Sequence, residues 1–259
     1  MSDYAALGLV AVATPQANTT VETEMAVLLK PGFGLATVRL HSQITDPRAR
    51  LVDYLDRLAP ALDTLDNAPV VVAGFACTGT SYLLDAGREA GELERLSALR
   101  RHPILSASQA IRAALLALGA RRIALVSPYP AWLRDACVAY LPRWGMEITQ
   151  VQGLPGDRSD TRRIYALGGR EIQQSLAALR TDGADVILIS GTGAPTLGPL
   201  ARYRGTIPLL SSNLCLAWAM EQTAEGAELD AASLRAKLAD TGWRNRLAQR
   251  FPQALDRLT

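Results

Sequence analysis

Lysine and histidine are scarce in this chain. Of its 27 basic residues only Lys30 and Lys237 are lysines, and His41 and His102 are the two histidines. Schiff-base chemistry therefore has few candidates, and a histidine-rich metal centre or a Ser-His-Asp triad has little to draw on. Cysteine is also sparse: Cys77, Cys137 and Cys215 form an odd set with no CxxC or zinc spacing. That pattern argues against a disulfide framework and for a reducing compartment. No stretch approaches the ~18 uninterrupted apolar residues that a membrane helix needs. The 27 basic and 25 acidic residues leave a net charge of +2, with no footprint for nucleic acid or a membrane surface. The opening MSDYAALGLVAVATP has an acidic start and a short apolar run, so it reads as a first strand rather than a signal peptide. The expectation is a soluble cytoplasmic protein with no membrane or nucleic-acid partner and no metal.

What the sequence does contain is a series of short Val/Ile/Leu runs separated by amphipathic segments. The runs fall near 7–13, 34–40, 69–75, 121–127, 146–151, 185–190 and 207–211. They lack polar alternation, as strands buried on both faces do. Helical periodicity marks 47–66, 84–99, 106–119, 130–142 and 167–182, and Ser106 is a start signal. This alternation predicts an α/β protein with parallel sheets. A weak repeat divides it: PVVVAGFACTGT at 69–80 resembles ADVILISGTGAPT at 184–196, and LVAVATPQ at 9–16 resembles IALVSPYP at 123–130. The repeat sets Cys77 opposite Gly191, Thr78 opposite Thr192 and Gly79 opposite Gly193. Two pseudo-symmetric halves are expected, each a parallel four-stranded sheet flanked by helices. They would span 1–103 and 104–212, with a helix at 213–223 crossing back to the first half and a polar helical tail at 224–259.

Ligands of open parallel sheets lie beyond the carboxyl ends of the strands. That rule gathers the loops 14–20, 77–82, 128–130, 190–196 and 211–215 around a cleft between the halves. Cys77 is the sharpest feature there, because it follows a buried strand and precedes Thr78-Gly79-Thr80-Ser81. Backbone N–H groups aimed at a thiolate lower its pKa, and Gly79 would let the backbone come close to a ligand. A buried cysteine can also simply pack; the strand-end position favours a functional thiol. Cys137 is in phase with the apolar face of a helix and reads as core, while Cys215 reads as packing or as a second thiol. In Pro15-Gln16-Ala17-Asn18-Thr19-Thr20, Asn18 and the start of a helix suit a carboxylate, or a plain N-cap. Tyr129 in SPYP is either a ligand phenol or a turn residue. GTGAP at 191–195 lacks both GxGxxG and GK[ST], which disfavours a nucleotide, and GLPGDRSD at 153–160 reads as a long loop over the cleft.

PxxNxTxETE at 15–24, Cys77-Thr78 after a strand, and SPY at 127–129 together resemble the maleate cis-trans isomerase and arylmalonate decarboxylase branch of the aspartate/glutamate racemase superfamily. The similarity runs from about residue 7 to 220. It implies two α/β halves with the active site between them and Cys77 as nucleophile. It also implies that Asn18 and Tyr129 bind substrate carboxylates, that Thr78 and Gly79 donate hydrogen bonds, and that Ser211, Ser212 and Asn213 complete the pocket, with Pro15 and Thr192 beside them. Racemases and isomerases of this kind carry a second cysteine where this chain has Gly191, so two-base racemisation loses a partner. A single thiolate can still isomerise maleate by adding to its double bond, or protonate an enediolate after decarboxylation. Neither route needs a cofactor. The expectation is a maleate-isomerase-like enzyme acting on a small carboxylic acid and assembled as a homodimer. The alternatives are an arylmalonate-type decarboxylase or racemase, and a small-acid binding protein without catalysis.

Overall fold

The apolar runs become the inner strands of two parallel sheets in the computed structural model, which describes residues 3–154 and 160–256. The first half contains β1 (Gly8–Pro15), α1 (Thr20–Leu28), β2 (Phe33–Leu40), α2 (Pro47–Asp56), α3 (Leu58–Asp63), β3 (Val70–Phe75), α4 (Thr78–Leu83), α5 (Ala86–Arg100) and β4 (Ile104–Ser106). The second contains α6 (Ala107–Ala117), β5 (Arg122–Ser127), α7 (Ala131–Tyr140), β6 (Glu147–Gly153), α8 (Gly169–Ala178), β7 (Val186–Ile189), α9 (Leu197–Arg202) and β8 (Leu209–Ser211). The strand orders are β2-β1-β3-β4 and β6-β5-β7-β8, so the halves share one topology and the internal repeat is structural. Every strand pairing is parallel. Val10 to Ala13 of β1 are fully buried, which is why that stretch shows no alternation.

Two short elements depart from the expected pattern. β4 has only three residues and follows His102-Pro103; it pairs with β3, so the first sheet runs past the expected boundary at 103/104. The hydroxyl-rich 77–82 segment is not a loop but the start of α4, with Cys77 as its N-cap. Of the 153–160 segment, residues 155–159 lie outside the described residues.

After β8 the chain enters α10 (Ser212–Ala224), followed by α11 (Ala231–Ala239), α12 (Thr241–Arg250) and α13 (Gln253–Asp256). Residues Ser212 to Gln222 of α10 are all buried, so the helix has no solvent face. It packs on β3 and β4 as well as on β8 and α1. Gly74 makes the approach to β3 possible, since a Cβ there would lie 2.5 Å from Met220 Sδ. The tail closes the far end of α1. Lys237 donates to the Leu28 carbonyl at 2.6 Å, Arg246 to those of Val27 and Leu29 at 2.8 and 3.0 Å, and Arg250 to that of Ala26 at 3.3 Å. A helix leaves its last carbonyls without intrahelical donors, and cations are favoured there. The opposite end of α1 carries Asn18.

Candidate active site

β3 and β7 end side by side in the repeat, delivering Cys77 and Gly191 to the junction of the two halves. The Ala76 N–H donates to the Ala13 carbonyl at 2.8 Å, which continues the pairing with β1 up to the cysteine. Cys77 itself is only 4% exposed. Its sulfur shares the Thr80 hydroxyl, at 3.2 Å, with the Leu51 carbonyl of α2, which lies closer at 2.6 Å. A hydroxyl has one hydrogen, and the carbonyl is both nearer and the better acceptor. Burial therefore outweighs the stabilisation from Thr80 and from the N–H groups of Thr80 and Gly79, and pushes the thiol up to about 11. The charge of Glu89 adds to the rise. This reverses the expectation of a lowered thiol pKa: a six-residue helix and a shared hydroxyl do not compensate for removal from water.

The second half meets the thiol through Tyr129. The Tyr129 hydroxyl and Thr78 Oγ1 are 2.6 Å apart. The Tyr82 ring stands edge-on to Tyr129 with centroids 6.1 Å apart, and the Tyr82 hydroxyl reaches Ser190 Oγ at 3.0 Å. Cys137 lies behind this layer, fully buried and 3.7 Å from Ser190 Oγ. Cys215 is fully buried within α10 and burial pushes its thiol upward. Both are packed in the interior, as the helical phase of Cys137 suggested; Cys215, left open between packing and a second thiol, is fully enclosed in α10.

Asn18 joins the halves. Its Oδ1 accepts from the N–H groups of Thr20 and Val21 at 3.1 and 3.4 Å, while Nδ2 donates to Thr192 Oγ1 at 3.3 Å. Thr192 in turn donates to the Ala76 carbonyl at 2.9 Å, one residue before the thiol. Asn18 thus caps α1 and keeps a second amide N–H beyond the one used on Thr192. Pro15 ends β1 and its carbonyl accepts from the Asn18 N–H at 2.8 Å. Gly79 packs against α2 and α7: a Cβ there would stand 3.3 Å from Leu51 and 3.4 Å from Leu133.

Gly191 is more than an absent cysteine. Its φ is +96°, and a Cβ would meet Pro128 Cγ at 3.0 Å and the Tyr129 hydroxyl at 3.2 Å. Its N–H donates to Ser212 Oγ at 3.0 Å. Ser211 caps α10 through Leu214 N–H at 3.2 Å. Ser211 and Ser212 therefore hold the wall from behind.

Sequence reasoning missed several neighbours. Tyr54 of α2 is 4% exposed, and burial pushes its phenol up to about 12; the Cys77 sulfur adds to the rise and Arg50 opposes it. Tyr165, in the 3₁₀ turn Thr161–Ala166, covers Gly193, where a Cβ would lie 2.6 Å from its ring. Its phenol is also raised by burial and by Cys77, with Arg50 again opposing. Helical periodicity placed Arg50 and Tyr54 on a helix, but only tertiary packing turns them toward the thiol. Glu24 was visible in the ETE motif without a role. It is a buried carboxyl that crosses between the halves, accepting from the Thr196 and Leu197 N–H groups, the Thr196 hydroxyl and Asn213 Nδ2. A cavity of about 650 Å³ lies beside the first turn of α1, Gly168, Pro195 and the tail residue Phe251; neither Cys77 nor Tyr129 lines it. Among the described residues no group of three or more His, Cys, Asp or Glu side chains is placed to hold a metal ion, and no helix is long and apolar enough to cross a membrane.

Comparison with known proteins bears on the family and the fold. A family model described as arylmalonate decarboxylase matches residues 11–237. A maleate isomerase of Nocardia farcinica is 29% identical over 193 residues, which is 71% of this chain and 74% of the relative. The crystal structure of the maleate isomerase Iso from Pseudomonas putida S16 superposes with a TM-score of 0.75 at 25% identity, over 87% of this chain and 99% of that one. A cysteine-to-serine mutant of the Nocardia farcinica maleate cis-trans isomerase, with a covalently bound succinylcysteine intermediate, gives a TM-score of 0.70 at 22% identity, over 88% and 98% of the two chains. That last likeness is one of fold.

Proposed function

The chain belongs to the arylmalonate decarboxylase family, and we propose that it is a cofactor-independent isomerase of a small cis-dicarboxylate such as maleate, with Cys77 as nucleophile. The observation that carries this reading is the asymmetry of the two strand ends: a thiol after β3, and at the equivalent position after β7 a glycine whose φ of +96° disfavours any side chain. Chemistry requiring two thiols has no second group at Gly191, whereas addition and elimination need only one. The succinylcysteine in the Nocardia farcinica isomerase is what such an addition gives once C3 takes up a proton.

The Cys77 thiol first releases its proton to the medium, and the N–H groups of Gly79 and Thr80 hold the thiolate. The sulfur then attacks C2 of the alkene. A C–S bond forms, and the π pair moves onto C3 and its carboxylate, where neutral donors such as Tyr129 and Asn18 stabilise it. The C2–C3 single bond rotates, the pair returns, the C–S bond breaks, and the trans acid leaves with the thiolate restored. No net proton is consumed.

The full-length protein is expected to convert maleate to fumarate, followed by loss of the maleate signal in proton NMR. Cys77→Ala should abolish turnover while leaving the circular dichroism unchanged. The rate should climb as pH rises toward the thiol pKa near 11, because only the thiolate attacks. A second reading, decarboxylation with Cys77 as proton donor, is favoured by the description of the family model. Release of carbon dioxide from an arylmalonate, with maleate untouched, would select it and reject the isomerase.

A further inference from the structure

The donors around the thiol are all neutral: Thr78, Thr80, Tyr129, Asn18 and Thr192. A dianion moved into such an enclosure leaves one carboxylate without a counter-charge, which is expensive away from water. Arg39 reaches the Asn18 carbonyl from a half-exposed pair with Glu22, whereas Arg50 is a buried cation beside this layer. The Arg50 side chain is 4% exposed. It precedes Leu51, whose carbonyl takes the Thr80 hydroxyl that also reaches Cys77 Sγ. One turn further along α2, the Tyr54 phenol feels both Arg50 and Cys77, and Tyr165 feels the same two groups. The guanidinium and the thiol thus share two phenols as neighbours.

Arg50 is oriented by backbone carbonyls and by one carboxylate. Nη1 donates to the Thr45 carbonyl at 3.1 Å and to that of Ile44 at 3.5 Å, which fixes the direction of the fork. Nη2 is directed at a carboxylate, Asp160 Oδ1, at 3.2 Å. Asp160 has a better partner of its own: Arg162 donates to its Oδ2 at 2.6 and 2.8 Å. The Asp160 side chain is also 26% exposed, so releasing Arg50 leaves it neither unpaired nor buried.

We propose that Arg50 recognises the second carboxylate of the substrate and that Asp160 occupies that place in the ligand-free protein. The assignment rests on the dicarboxylate reading given above. It makes Arg50 a specificity residue: the thiol end of the cleft treats all small acrylate-like acids alike, and the guanidinium selects those with two carboxylates.

Protection of Cys77 from iodoacetamide, a neutral reagent, tests this without turnover. Mass spectrometry follows alkylation of the full-length protein at mildly alkaline pH, with succinate or butyrate as unreactive competitors. Succinate should protect the wild type at much lower concentration than butyrate. Arg50→Gln should erase at least a tenfold part of that preference, the loss expected for a hydrogen bond to a charged group, while butyrate protection holds. Asp160→Asn should shift succinate protection to severalfold lower concentration, and it decides the matter if Arg50→Gln fails to fold. Equal protection by the two acids in the wild type, or a succinate-to-butyrate ratio unchanged in both variants, would overturn the assignment. If the ratios behave as expected while maleate is not converted, the isomerase reading fails and Arg50 keeps its role.

Discussion

Glu24 offers a quantitative test of how the halves are joined. Its carboxyl is 2% exposed and spans from α1 to the start of α9 and to α10. Burial raises its pKa from 4.5 to about 7, against the pull of Asn213, Thr196 and the Leu197 N–H. In the unfolded chain the same group titrates near 4.5. Between those two values the folded state binds more protons than the unfolded state, so stability falls as pH rises and is flat on either side. A displacement of that size corresponds to about 3 kcal/mol. Glu24→Gln removes the titration and nearly preserves the shape. Urea unfolding of both proteins at several pH values gives a difference in which all other titrating groups cancel. The wild type should lose about 3 kcal/mol relative to Glu24→Gln on going from about pH 4.5 to above pH 7. A difference that stays flat, or that moves in favour of the wild type as pH rises, would show that the four donors outweigh burial and would refute the reasoning.

Two further substitutions probe features that the site depends on. Gly191→Ala puts a Cβ at φ +96°, 3.0 Å from Pro128 Cγ and 3.2 Å from the Tyr129 hydroxyl; strain of about 1–3 kcal/mol should lower the urea midpoint and displace Tyr129 enough to reduce turnover, and an unchanged midpoint would show that the loop relaxes freely. Lys237→Met leaves Glu221 buried without the cation 2.7 Å away. It should destabilise by about 3–5 kcal/mol, with most of the loss recovered in the Lys237→Met, Glu221→Leu double variant, as urea unfolding would report.

The architecture was legible because parallel strands buried on both faces leave unbroken apolar runs, and because the two halves repeat the same strand-loop pattern. β4 escaped notice because three residues behind a proline carry too little pattern. α4 escaped because Thr-Gly-Thr-Ser is turn-like chemistry that tertiary contacts override, with Thr80 tied to α2. At the site, Cys77 and Thr78 stood out by their strand-end position, whereas Asn18 and Tyr129 gained a role only from the family resemblance. Arg50, Tyr54 and Tyr165 could not be picked out, since nothing in a solvent-compatible helix or in a short turn says which neighbour it will face. The protonation of Cys77 was misjudged for a related reason. A cap position favours a thiolate only where water or free donors remain, and here the Thr80 hydroxyl is already held by Leu51.

The placement of α10 has a consequence for synthesis. The face of β3 that carries Gly74 is covered by Leu216 and Met220, more than 140 positions later in the chain. A nascent chain that has released only the first half therefore exposes an unfinished apolar sheet, and Glu24 waits for partners at 196, 197 and 213. Completion of the first half thus depends on residues translated after the second, and the face of β3 stays uncovered until α10 is available.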